Sequence, residues 1–351
     1  MRIELAARPV LAGYPGHRRA ETQGEDVFAR AAVVEVGGAR AILASLDVLL
    51  IPGELEEEIL RRAGLPAGVC LLLTATHTHS GPGGTWDDQI AGWAGNGAFD
   101  RGQRDAIAAA MVEALRRAGA SLRDATLQVA QTSFEDGPAR PRSEGPLDPR
   151  LFALRLRRRG GPEIATVVGY AMHPTGVPKS ERRISADWPG RAAAALERSG
   201  PALVMETAVG NTTWDREAGD VAANVARRAL EVLEEARPLE RTRLSCETRL
   251  LSLPRFELPP TFWLRTALAN LLPVPERFAV QTRLQLDGLA LIGVPGEPVG
   301  ELGRRAAPAF LVGLADGYLG YVETGARWRE GQGEARRANY GPGLARSLGL
   351  E

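Results

Sequence analysis

Apolar and polar positions along this chain follow two periods, and the two alternate. Residues 26–36 (DVFARAAVVEV) and 40–51 (RAILASLDVLLI) are strand-like and meet at a Gly-Gly turn, which predicts a strand pair. Residues 52–64 carry acidic side chains early and arginines late, the order a helix dipole favours, and predict a short helix. The run 68–76 (GVCLLLTAT) is continuously apolar, as a strand buried on both faces would be. Residues 105–122 are strong helix formers. Further strands are expected at 125–134, 150–158, 164–172, 202–209, 241–252, 279–286, 288–294 and 309–317. Helices are expected near 188–199, over the amphipathic stretch 217–236, and after Glu297. The order predicts an α/β chain of mixed sheets packed with helices, without internal repeats. The apolar, proline-flanked segment 258–275 reads as a core helix, a lid or a lipid-facing element.

Composition narrows the function classes. The 351 residues suit one large α/β unit or two closely packed ones. Lys+Arg and Asp+Glu are both 43, so the formal net charge is zero and the basic footprint of a nucleic-acid binder is missing. No stretch reaches the roughly 20 apolar residues of a transmembrane helix. The N-terminus lacks a signal-peptide core, so a cytoplasmic chain is expected, secreted or periplasmic only if a leader has been removed. Cys70 and Cys246 are expected to be buried free thiols.

The chemistry concentrates at strand ends. Of four histidines, His77 and His79 follow the apolar run 68–76 and precede the turn SGPGG. If the strand continues through Thr78, both imidazoles face one space. His173 ends another apolar run, in VVGYAMHPTG, and Glu297 ends a third, in LALIGVPGEP. Such convergence suits a metal site, since neutral imidazole is the usual zinc ligand. Hydrogen-bonded histidines at strand ends and a dipole-stabilised helix carboxylate remain the plainer alternatives. His17 reads as a surface-loop residue.

Taken together, TATHTHSGPGG, YAMHPTG with ISADWPGRAAA, GVPGEPVGELGRR, and GLADGYLGYVET with YGPG resemble, in the same order, the neutral/alkaline non-lysosomal ceramidases. These are zinc amidases that cleave the N-acyl bond of ceramide. The resemblance spans roughly residues 10 to 345 and implies the family's catalytic domain over 1–351, without its C-terminal immunoglobulin-like domain. It implies one Zn2+ per chain, held by His77, His173, Glu297 and Tyr321. His79 falls on the proton-transferring histidine, and Tyr321 is also placed to steady a developing oxyanion. Gly83 and Gly84 would form a floor for the acyl group. Asn211 and Thr213, in VGNTTWD, take the places of an aspartate and a serine. Thr213 keeps a hydroxyl for catalysis, and Asn211 falls on the substrate side. Arg142 stands in a shortened segment as an anion-binding residue. The family's later tyrosine is replaced by Gly333, with Tyr318 and Tyr340 as compensating phenols. The implied activity is hydrolysis of an N-acyl amide by metal-activated water on a small-molecule substrate, lipids included. A metal-dependent esterase or phosphoesterase, or a silent homologue, is the alternative.

Overall fold

The computed structural model describes the chain apart from residues 23, 241 and 258–275. The segment read above as core helix, lid or lipid-facing element therefore lies outside the described residues.

Three sheets carry the architecture. In the first, β1 (Ala29–Val36) pairs antiparallel with β2 (Ala39–Leu46). Gly37 and Gly38 between them have φ of 59° and 87°, the left-handed pair a tight hairpin needs. Helix α1 (Gly53–Ala63) then returns the chain so that β3 (Val69–Ala75) lies parallel to β2, Ile42 opposite Leu71. Helix α2 (Arg101–Ala120) packs with α1 on the outer face of this sheet, where Leu55, Ile59, Ile107 and Met111 meet Ile42, Leu71 and Leu73.

The second sheet begins as an antiparallel meander of β4 (Ala125–Ser133), β5 (Arg150–Arg158) and β6 (Glu163–Tyr170). Helix α3 (Asp187–Leu196) crosses over to β7 (Ala202–Glu206), which lies parallel to β6. Helix α4 (Val221–Glu235) buries Ala222, Val225, Ala226, Ala229, Val232 and Leu233, a stripe at three- and four-residue spacing. The Asp220 carboxylate caps it by accepting from the Ala223 N–H. That stripe packs on Leu151, Val168 and Val204.

The third sheet contains β8 (Leu244–Ser252), β9 (Phe278–Leu286), β10 (Leu289–Gly293) and β11 (Phe310–Val312). The strand expected over 309–317 is cut short because Leu314 and Asp316 turn left-handed, with φ of 55° and 61°. Asp316 turns to accept hydrogen bonds from the Thr282 N–H and hydroxyl. All three sheets share one core, where Leu43 and Leu72 meet Phe152, Val167, Leu291 and Phe310.

Cys70 of β3 and Cys246 of β8 form a disulfide, with Cα atoms 6.0 Å apart, which corrects the expectation of free thiols. The two lie 176 residues apart, and the packing of the third sheet against the first brings them together. Among the described residues, no helix is long and apolar enough to cross a membrane.

This layout positions the chemistry. β3, β6 and β10 end at Ala75, Tyr170 and Gly293, just ahead of His77, His173 and Glu297.

Candidate metal centre and active site

The two histidines of THTH converge by a route other than strand alternation. β3 stops at Ala75, and His77 takes a left-handed backbone with φ 61°, unusual outside glycine. The strand therefore does not run through Thr78, and the kink directs the rings instead. Strain of this kind persists where the surroundings enforce it. Here the Thr76 N–H donates to the Leu46 carbonyl, the His79 N–H to the Pro174 carbonyl, and the Thr78 hydroxyl to the Ser185 carbonyl.

Each ring is then fixed through Nδ1. His77 Nδ1 sits 2.8 Å from the Leu49 carbonyl oxygen, His79 Nδ1 2.7 Å from that of Gly13, and His173 Nδ1 3.3 Å from that of Val209. With Nδ1–H donating to a carbonyl, each Nε2 is left as a bare lone pair, the tautomer in which histidines bind metals. The three side chains can offer donor atoms within 4.8 Å of one another. His77 and His173 Nε2 are 3.1 Å apart, and His79 Nε2 is buried without a partner. Glu297 Oε2 is also buried without a hydrogen-bond donor, 3.3 Å from His77 Nε2 and 3.7 Å from His173 Nε2. Lone pairs and a carboxylate so close together repel unless a cation sits among them. Imidazole nitrogens with a carboxylate oxygen are donors that suit zinc.

The surroundings hold these donors in their ionisation states. Burial, then the neighbouring His77, pushes His79 down to about 3, and the same two causes hold His173 well below its ordinary value. Burial alone would raise Glu297, but the neighbouring His77 and His173 and the Tyr318 hydroxyl hold it below the usual carboxylate range. The Tyr318 hydroxyl donates to Glu297 Oε1 at 2.7 Å. Burial, then Glu297, raises Tyr318 and Tyr321 well above 10, so both phenols keep their protons. Tyr321 is brought beside Glu297 by a short parallel pairing of Tyr321–Val322 with Glu297–Pro298. The Glu297 carboxylate raises the Tyr321 phenol and the Arg142 guanidinium lowers it, so both charges act on it.

Arg142 joins the same group. Its Nη1 donates to His173 Nε2 at 3.3 Å, its Nη2 to the Gly210 carbonyl at 2.7 Å, and it pairs with Glu334 at 2.9 Å.

The chain matches the profile of the neutral/alkaline non-lysosomal ceramidase N-terminal domain over residues 7–250, more than half of its length. The chain belongs to this family. Its fold is similar to that of the neutral ceramidase from Pseudomonas aeruginosa, with a TM-score of 0.82 at 19% identity, covering 99% of this chain and 71% of that one. A ceramidase solved in complex with C2 is similar to the same degree, with a TM-score of 0.82 at 18% identity, covering 99% and 72%. Membership places the chain among hydrolases acting on amide bonds.

The other residues singled out in the sequence lie around this donor cluster in different ways. Gly83 and Gly84 face protein, since a Cβ on Gly83 would lie 2.2 Å from the Asn96 carbonyl oxygen and one on Gly84 2.7 Å from that of Ala98. They let chain approach chain, with the buried Gln103 amide donating to the carbonyls of Val10 and Gly83. Asn211 ties loops together, donating to the carbonyls of Gly145 and Pro146 and accepting from the Gly300 N–H. Thr213 lies in the short strand Thr212–Trp214 opposite Arg140. The hydroxyl that touches the site is that of Thr212, which accepts from the His173 N–H at 2.9 Å and donates to the Val209 carbonyl. Tyr340 packs on Phe256 in a separate apolar cluster with Leu344 and Leu348. A cleft of about 1110 Å³, walled by β1 and α2, contains none of the donors.

Sequence reasoning missed Thr212 and Glu334. Glu334 sits in the charged run GQGEARRAN, where a single carboxylate among arginines reads as surface, yet its side chain is fully buried.

Proposed function

We propose that this chain is a zinc-dependent hydrolase of N-acyl amides, with His77, His173 and Glu297 holding the metal and Tyr321 beside them. The observation that carries this reading is the convergence of three Nε2 atoms, each left unprotonated because its ring donates Nδ1–H to a carbonyl, with the unpartnered Glu297 Oε2. Zinc held there would supply a Lewis acid for the acyl oxygen and make water acidic enough to attack near neutral pH.

The chain's own residues account for the rest. His79 is neutral, fixed through Nδ1 to the Gly13 carbonyl, and keeps Nε2 free to take a proton from the attacking water and pass it to the leaving amine. Tyr318 orients Glu297 through its 2.7 Å hydrogen bond. Tyr321 and Arg142 present a phenol O–H and a guanidinium where charge develops on the acyl oxygen. Arg142 is held in place by Glu334 and the Gly210 carbonyl.

The test is release of a carboxylic acid from an N-acyl amide by the purified chain. Dialysis against a chelator should abolish the release, and added zinc should restore it. Activity indifferent to chelation, or faster cleavage of a phosphoester than of any amide, would overturn the reading.

A further inference from the structure

Two guanidiniums flank Tyr321 beside the donor cluster. Arg142 Cζ lies 5.3 Å from the ring centroid of Tyr321, and Arg337 Cζ lies 5.7 Å from it. Both pair with one carboxylate, that of Glu334, at 2.9 Å and 2.6 Å. Their exposure differs sharply: the Glu334 side chain is 0% exposed, that of Arg142 28% and that of Arg337 60%. Two positive charges therefore share one negative charge, and only the positive groups face outward. Arg142 spends its donors on His173, Gly210 and Glu334. Among the described residues, Glu334 is the one hydrogen-bond partner of the Arg337 side chain, so most of its five N–H donors point to solvent.

Among the described residues, no carboxylate other than Glu334 pairs with either arginine. Glu323 is buried and accepts from the backbone N–H groups of Thr324 and Glu334. Glu144 turns towards the Gly333 N–H. On another side of the donor cluster Leu49, whose carbonyl holds His77, packs with Ala12, Leu50, Trp86 and Tyr318, and the Tyr14 ring lies 5.5 Å from that of His79. The arginine side of the centre is the one suited to an anion.

We propose that Arg337, backed by Arg142, recognises a carboxylate on the amine half of the substrate, so that the chain prefers N-acyl amino acids to neutral N-acyl amino alcohols. This rests on the amide-hydrolase reading. In the reaction the amide C–N bond breaks, the water oxygen joins the acyl carbon, and a water proton goes to the nitrogen. The products are a carboxylic acid and a free amino acid. The amino acid's carboxylate lies only two bonds from the amide nitrogen, so it meets the arginine side while the acyl carbon meets the donors. A neutral alcohol in that place offers one oxygen and no charge, so it forms neither the ion pair nor the bidentate fork.

The test compares N-decanoylglycine with N-decanoylethanolamine as substrates for the zinc-loaded full chain. The glycine conjugate is expected to be favoured in kcat/KM by about tenfold or more, with Arg337→Gln erasing most of that ratio and Arg337→Glu lowering it further. A readout free of turnover is calorimetric binding of N-decylsulfonylglycine, whose sulfonamide resists hydrolysis. Arg337→Gln should weaken it by about tenfold. Equal or better cleavage of the ethanolamide, with a ratio that Arg337→Glu leaves unchanged, overturns the proposal. If neither amide is cleaved but the sulfonamide binds through Arg337, the hydrolase reading fails and carboxylate recognition stands. If the sulfonamide does not bind either, both fail.

Discussion

At the residue scale the two histidines of THTH have different partners. His77 Nε2 faces both His173 Nε2 and Glu297 Oε2, whereas His79 Nε2 has no partner. His79→Ala should therefore keep most of its metal while losing at least about a hundredfold in kcat, the usual weight of a general acid-base group. Metal loss equal to that of His173→Ala would make His79 a ligand instead. That these side chains would meet was legible because histidine is rare in this chain and each of them follows an apolar run. The way they converge was not. A left-handed φ at His77 leaves no mark in sequence, and strand alternation suggested a different path to the same meeting point. Glu334 was hidden for a related reason: burial of a charge depends on partners far away in the chain, here Arg142, 192 residues distant.

At the scale of elements, the short strand Thr212–Trp214 sends neighbouring side chains to opposite faces. Sequence correspondence pointed to Thr213, but the Thr212 hydroxyl bridges the His173 N–H and the Val209 carbonyl, the same carbonyl that accepts from His173 Nδ1. Thr212→Val should cost about 1–3 kcal/mol by leaving a buried N–H unpaired, and should lower zinc affinity by loosening His173. Thr213→Val should change both little. Thermal melts and metal titrations of the two variants separate the assignments, and a larger effect at Thr213 would reverse them. Most strands and helices were legible from period and caps, with ends trimmed by a few residues. The stretches 40–51 and 309–317 lost most: the first strand stops at Leu46, and in the second the Asp316 carboxylate serves Thr282 on β9 and turns the chain out of strand geometry.

At the scale of the molecule, three sheets around one core bring three strand ends together, and the Cys70–Cys246 bridge ties the first sheet to the third. A cross-link closing so long a loop should contribute about 2–4 kcal/mol, so the double Cys→Ala variant should melt lower while keeping its zinc. Unchanged melting would show that the bridge does not form. Because disulfides persist in oxidising surroundings, we propose that the chain works in such a compartment. The pairing was invisible in sequence, where two cysteines 176 residues apart carry no register. The ceramidase-family fold was legible because its motifs keep their order from the first sheet to the third. The central claim is that the strand ends build a zinc site, and metal content per chain tests it most directly. One zinc per chain is expected in the purified protein, and close to none in a folded Glu297→Ala variant. A wild-type protein that takes up no zinc, or a Glu297→Ala protein that holds it as well as wild type, would contradict the claim.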